Sequence, residues 1–176
     1  MGIPREIERK FLVTGGGVPR VGKARHIVQG YVSSNGVATV RVRVCDGRAK
    51  LSIKDRGSPP GQGRAEFEYD IPLDHALYLL RQVCPLPPVE KLRYMITFGG
   101  HEWSVDEFLG ENRGLVLAEI ELDSRDAPFL APHWVGEDVT SDPRYHNSFL
   151  YRNPYREWCD SPAPDTARWT GSEAAA

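Results

Sequence analysis

The chain has 176 residues, 40% of them hydrophobic and 26% charged, with a formal net charge of -2. These values fit one soluble globular domain large enough to bury a core, and they exclude the strongly basic footprint of a nucleic-acid binder. Cys45, Cys84 and Cys159 are odd in number and form no CxxC pair, which argues against a disulfide framework or zinc site and suits the reducing cytoplasm. The N-terminus has no apolar signal core, and no run approaches the ~18 apolar residues of a membrane span.

Residues 5–13 read as a strand in which Glu6, Glu8 and Lys10 share one face and Ile7 takes the other. A glycine-rich loop follows to Arg20. Residues 26–33 alternate as a strand, and Ser34-Asn35-Gly36 signals a hairpin. Residues 37–45 are valine-rich and carry Arg41 and Arg43 on one face. Asp46-Gly47 turns the chain into a strand over 49–56, where Lys54 and Arg56 share a face. Residues 57–63 form a Gly/Pro loop. The next strand, 64–71, alternates Glu66 and Glu68 with apolar residues. Asp74 is placed to cap a helix through Leu80 that stops at Cys84-Pro85.

The second half repeats the style. Residues 89–96 form a strand with Lys91 and Arg93 on one face, and Gly99-Gly100 turns into 101–108, which holds Trp103 and Asp106. A loop at 110–114 precedes the strand 115–122 with Glu119 and Glu121. Residues 144–150 read as a short helix, and the tail 161–176 as disordered. The expected architecture is therefore mainly β (α+β): one domain over residues 1–160, an eight-stranded antiparallel barrel with a few peripheral helices.

Any single charged pair on a strand is usually a solvated face. Taken together, the pairs form nearly pure blocks of acid and base, separated by Ile7, Val42, Phe67, Leu92 and Ile120, which need dry surroundings. Two carboxylates ~5 Å apart repel by roughly 3 kcal/mol at an effective dielectric of 20, so grouped acids call for cations between them. Oxygen donors without His or Cys suit Mg²⁺ or Mn²⁺. Clustered bases suit an anion such as a triphosphate, with roughly four to five negative charges. If the charged faces line a lumen, acids holding metal stand opposite bases holding phosphate.

Glu6-x-Glu8-x-Lys10 resembles the ExExK signature of the CYTH family, or triphosphate tunnel metalloenzymes. Arg41/Arg43, Lys54, Glu66/Glu68, Lys91/Arg93, Asp106 and Glu119/Glu121 follow in that family's order, so the resemblance runs from about Ile3 to Pro154. It implies a closed eight-stranded tunnel binding a small-molecule triphosphate with Mg²⁺ or Mn²⁺, two ions per site. Lys10, Arg41, Arg43, Lys54, Arg56, Lys91, Arg93 and Tyr31 would contact phosphate. Glu6, Glu8, Glu66, Glu68, Asp106, Glu119 and Glu121 would serve metal. Glu8 would act as base, with Lys91 or Arg56 stabilising the leaving phosphate. Residues 145–150 resemble the family's helix that plugs one tunnel end. Ser104 stands where many relatives carry an acid. The resemblance is strongest to small bacterial inorganic triphosphatases. A class IV adenylyl cyclase, a thiamine triphosphatase and a non-catalytic polyphosphate-binding module are the alternatives.

Overall fold

Ten strands, all paired antiparallel, carry the fold. In chain order they are Arg5–Glu6 (β1), Glu8–Val13 (β2), Arg25–Ser34 (β3), Ala38–Cys45 (β4), Arg48–Asp55 (β5), Arg64–Ile71 (β6), Val89–Phe98 (β7), His101–Phe108 (β8), Val116–Glu121 (β9) and Val135–Asp138 (β10). They lie side by side as β1-β6-β5-β4-β3-β7-β8-β9-β2-β10. The computed structural model describes residues 5–14, 20–34, 38–55, 64–124 and 126–159. The loops expected at 15–19 and 57–63, the hairpin tip at 35–36, Arg56 and the tail 161–176 lie outside the described residues.

The protein is mainly an antiparallel β-sheet with few helices, but the closed eight-stranded barrel is corrected. Nine strands form the continuous sheet, and the two-residue β1 adds to its β6 edge, so among the described residues no ladder shuts the order into a ring. The opening strand splits at Ile7: Arg5 pairs with Ala65 on β6, whereas Glu8 pairs with Glu121 on β9. One stretch of chain thus touches strands from both halves of the sheet. β10 was not expected; its four residues pair with β2 through a register shift.

Period-two alternation decides the two faces. On β4, Val42 and Val44 point outward and are almost fully buried with Val28, Ala49, Ala76 and Leu80. That cluster is roofed by α1 (Leu73–Tyr78), which continues as a π-helical turn, Leu79–Val83. Pro72 occupies the N-cap position and Asp74 lies inside the first turn, so Asp74 is not the cap. The turn seats closely because residue 30 is glycine: a Cβ there would lie 2.9 Å from both the Cys84 Sγ and a Leu80 methyl. At the β4–β5 hairpin, Asp46 and Gly47 both take positive φ, 48° and 74°, as a two-residue hairpin demands.

A second outer cluster, Phe11, Tyr94, Trp103, Val105, Ala118 and Ile120, is covered by Phe129 and Trp134 from the segment before β10. Each such side chain removed from water contributes about 1.5–3 kcal/mol. The third cluster lies at one end of the opposite, charged face. There Tyr31, Val89, Phe108, Leu115 and Leu117 meet Tyr145, Leu150 and Tyr151 of the C-terminal segment. The single helix expected over 144–150 is two pieces. A 3₁₀ turn, Pro143–Tyr145, is capped by Asp142, and α2 (Asn147–Leu150) follows, the break falling at the extended His146. No helix among the described residues is long and apolar enough to cross a membrane.

Candidate active site

The inward face of the sheet carries two charged networks. The first spans β2, β7, β8 and β9. Lys10 Nζ donates to Glu119 Oε1 and lies 3.7 Å from Glu8 Oε1. Arg93 donates to both oxygens of Asp106, at 2.6 Å each, and to Glu119 Oε2 at 2.9 Å. Lys91 Nζ donates to Asp106 Oδ2 at 2.5 Å and to Asn147 Oδ1 at 3.3 Å. Glu121 faces Glu8 in the β2–β9 register.

The second network spans β4, β5 and β6. Arg41 Nη2 donates to Glu66 Oε1 at 3.0 Å, and Lys54 Nζ lies 3.1 Å from the other Glu66 oxygen. Glu68 accepts from Arg43 at 2.9 Å, Lys50 at 3.0 Å and the Ser52 hydroxyl at 2.8 Å. Four formal cations (Arg41, Arg43, Lys50, Lys54) therefore meet the carboxylates of Glu66 and Glu68 here, and with Asp55, which also lines the cleft from β5, the surplus is one positive charge. The first network is balanced, with Lys10, Lys91 and Arg93 against Glu8, Asp106 and Glu119. The asymmetry makes the β4–β6 wall the stronger attractor for anions.

One cleft of about 550 Å³, its open mouth included, lies between the walls. Glu8 and Lys10 line it from β2; Tyr31, Thr39, Arg41, Ser52, Lys54, Asp55 and Glu66 line it from β3 to β6. His146, Asn147 and Ser148 close one side. Arg41 Nε is buried with no hydrogen-bond partner among the described residues, a donor left over after the network is satisfied.

Burial and charge set the protonation states. Burial raises the pKa of Glu119, but Lys10, Arg93 and Lys91 more than reverse this and hold it well below the carboxylate range. Asp106 is likewise raised by burial and lowered overall by Arg93 and Lys91. Lys10 would be lowered by burial, yet Glu119 and Glu8 raise it overall. Lys91 behaves differently: burial pushes it down to about 8 against the pull of Asp106. Burial pushes Glu68 up, and hydrogen bonds from Ser52 and Lys50, with the Arg43 charge, bring it to about 2. Burial alone raises the Tyr31 phenol.

The structure thus gathers Glu8, Lys10, Tyr31, Arg41, Lys54 and Glu66 at one cleft, with Lys91, Arg93, Asp106 and Glu119 linked behind Lys10. Arg43 and Glu68 sit one network bond further along β4 and β6. Glu6 lies in β1 with its side chain outside description, and Arg56 lies wholly outside the described residues. Sequence reasoning missed Thr39, Lys50, Ser52 and Asn147. The first three share a face with Arg41 or Lys54 by strict alternation and were recoverable from that alone. Asn147 carries no periodic signal.

Whether the acids fit a divalent cation can be judged from their chemistry. Glu8, Glu119 and Glu121 present only hard oxygen donors on one face of the β2–β9 ladder, as Mg²⁺ or Mn²⁺ requires. Among the described residues no three acidic, His or Cys side chains lie close enough to hold a metal as they stand, and Glu119 is engaged by Lys10 and Arg93. The donor set fits in chemistry; to hold a cation Glu119 would exchange Lys10 or Arg93 for it.

Together the two walls define a cleft lined by bases and flanked by carboxylates. No protein-family model matches the chain. An Acetivibrio thermocellus protein named inorganic triphosphatase is 46% identical over 154 residues, 88% of this chain and 97% of that protein. A Nitrosomonas europaea protein of the same name is 33% identical, over 82% of this chain and 95% of that one. Among solved structures, the inorganic triphosphatase NE1496 superposes with TM-score 0.61 at 32% identity, covering 83% of this chain and 93% of that one. A Hippeastrum protein, HpAC1, described as an adenylyl cyclase with dominant triphosphatase activity, shares the fold at TM-score 0.50 and 14% identity, over 67% and 80% of the two chains. The chain belongs to the inorganic triphosphatases of the CYTH, or triphosphate tunnel metalloenzyme, family.

Proposed function

We propose that this protein hydrolyses inorganic triphosphate to pyrophosphate and phosphate with a divalent metal, Mg²⁺ or Mn²⁺, two ions per site. The observation that carries the reading is the cleft itself. It sets Glu8 and Lys10 against Arg41, Ser52 and Lys54, and Arg41 keeps a buried N–H without a partner.

In this reading Arg41, Arg43, Lys54 and Arg56 hold the phosphate oxygens, the arginines by two-point hydrogen bonds and the lysine as a point charge. Glu8, Glu119 and Glu121, with Glu6 just ahead on the same chain stretch, hold the metal. Bound there, the cation polarises phosphoryl oxygens and acidifies water. Glu8 lines the cleft with its carboxylate 3.7 Å from the Lys10 ammonium, a looser contact than the Glu66 pairs make, and we assign it the proton of the attacking water. Water oxygen bonds to the terminal phosphorus, the bridging P–O bond breaks, and the leaving oxygen keeps the electron pair. Lys10, Lys91 and Arg93 offset the charge that develops on pyrophosphate.

Asp106, expected among the metal ligands, has both oxygens taken by Lys91 and Arg93 at full burial. We place it instead as the group that orients those bases. Glu66 and Glu68 space the β4–β5 bases by ion pairing. Free Cys45, Cys84 and Cys159 support a cytoplasmic location.

The test is a substrate panel of tripolyphosphate, thiamine triphosphate and ATP, with and without Mg²⁺ or Mn²⁺. Phosphate, pyrophosphate and cyclic AMP are measured. The expected result is metal-dependent release of equal phosphate and pyrophosphate, fastest from tripolyphosphate. Cyclic AMP as the main product, preference for thiamine triphosphate, or binding without turnover would each replace the reading.

A further inference from the structure

The ammonium of Lys91 is gripped from three sides. Asp106 accepts from it at 2.5 Å, the Phe108 ring lies 5.2 Å from it, and Asn147 Oδ1 accepts from it at 3.3 Å. Two of these partners belong to β8, paired with Lys91's own strand. Asn147 comes from α2, 56 residues further along the chain. It is also the one of the three that lines the cleft. Lys91 itself is 2% exposed and Asp106 is fully buried, so the carboxylate draws the ammonium away from the cleft.

Asn147 is firmly held. Leu150, one turn on, is fully buried among Tyr31, Val89, Phe108 and Leu117. The Tyr151 hydroxyl donates to Leu86 O at 3.0 Å and accepts from Leu86 N at 2.9 Å, and Tyr151 N donates to Asn147 O at 3.0 Å. The Asn112 side chain accepts from Tyr155 N at 2.8 Å, fixing the segment beyond. An amide acceptor on so rigid a mount can compete with a carboxylate for a lysine that has three rotatable donors.

We propose that Asn147 is a positioning residue: its side-chain oxygen holds the Lys91 ammonium toward the cleft, so that an N–H meets the leaving pyrophosphate. This rests on the triphosphatase reading. Because the contact serves charge that develops as the bond breaks, its loss lowers kcat more than it raises KM.

The experiment compares wild type, Asn147→Leu and Asn147→Asp in steady-state hydrolysis of tripolyphosphate with Mg²⁺, beside thermal melts. Asn147→Leu, similar in size but without an acceptor, is expected to lose tenfold or more in kcat with KM within threefold. Asn147→Asp keeps the acceptor and is expected to hold kcat within threefold while its added charge raises KM. Should Asn147→Leu fail to fold by melting, Asn147→Ala is held to the same expectation. Unchanged kcat in the acceptor-free variant, or equal kcat losses in Asn147→Leu and Asn147→Asp, overturns the positioning role alone. A wild type without turnover overturns the triphosphatase reading instead.

Discussion

Arg93 and Asp106 stand opposite each other in the β7–β8 register and meet in a two-point fork, 2.6 Å at each contact. The fork explains how a carboxylate with no solvent exposure stays ionised inside a sheet: Arg93 and Lys91 outweigh the burial that would protonate it. It also fixes Arg93 so that Nη2, which donates to Asp106 Oδ2, reaches Glu119 Oε2 as well. Removing one member of a buried ion pair leaves the rest uncompensated and costs about 3–5 kcal/mol. Asp106→Ala is therefore expected to lose that much in urea unfolding; a loss under about 1 kcal/mol would show the fork to be structurally idle.

Arg41 is expected to dominate triphosphate capture from the β4–β6 wall. Each hydrogen bond between charged groups contributes about 1.5–3 kcal/mol. Arg41→Ala should then lower kcat/KM about 10²-fold or more, with Arg41→Lys restoring only part because a lysine cannot make the two-point contact. Full recovery in Arg41→Lys would reduce Arg41 to a point charge.

Lys91 sets the pH response. Its pKa in the free protein is pushed down to about 8 by burial. As pH rises through that value the free enzyme loses the Lys91 charge, so kcat/KM is expected to fall above about pH 8. Lys91→Arg, which cannot deprotonate in this range, should move that fall upward. The sign for stability is opposite. A lysine with a folded pKa below its unfolded 10.5 leaves the unfolded chain with more bound protons between the two values, so this group's contribution to stability rises with pH across that window. A pH–rate profile flat to pH 10 in wild type would contradict the assignment.

The C-terminal plug is expected to be a stability element as well as a wall. Leu150 is fully buried against residues from β3, β7, β8 and β9, and Leu150→Ala should cost about 2–5 kcal/mol, read from chemical denaturation. A variant as stable as wild type would mean that the end cluster is loosely packed.

The faces of the sheet were legible in the sequence because strand alternation has a period of two and the charged positions kept it. Arg41 and Arg43 versus Val42 and Val44 is the plainest case. The partners were not legible. Alternation says that Lys10 and Glu119 each occupy an inward position, but only the β2–β9 register puts them side by side. Asn147 meets Lys91 through an end-on packing that leaves no spacing signal. β10 escaped notice because four residues with a register shift present no alternation to detect. The barrel's closure was expected from the strand count as well as from the family; the split at Ile7 is a feature of hydrogen bonding that residue types do not encode.

Glu119 bears the central claim, since it joins Lys10 to Arg93 in the free protein and, in the proposed reaction, exchanges these partners for metal. The direct measurement is tripolyphosphate hydrolysis against Mg²⁺ concentration for wild type and Glu119→Gln. Strict dependence of wild type on the metal, with kcat/KM at least about 100-fold lower in Glu119→Gln, is the result the account predicts. Undiminished turnover in a chelator, or a Glu119→Gln variant as active as wild type, would contradict it.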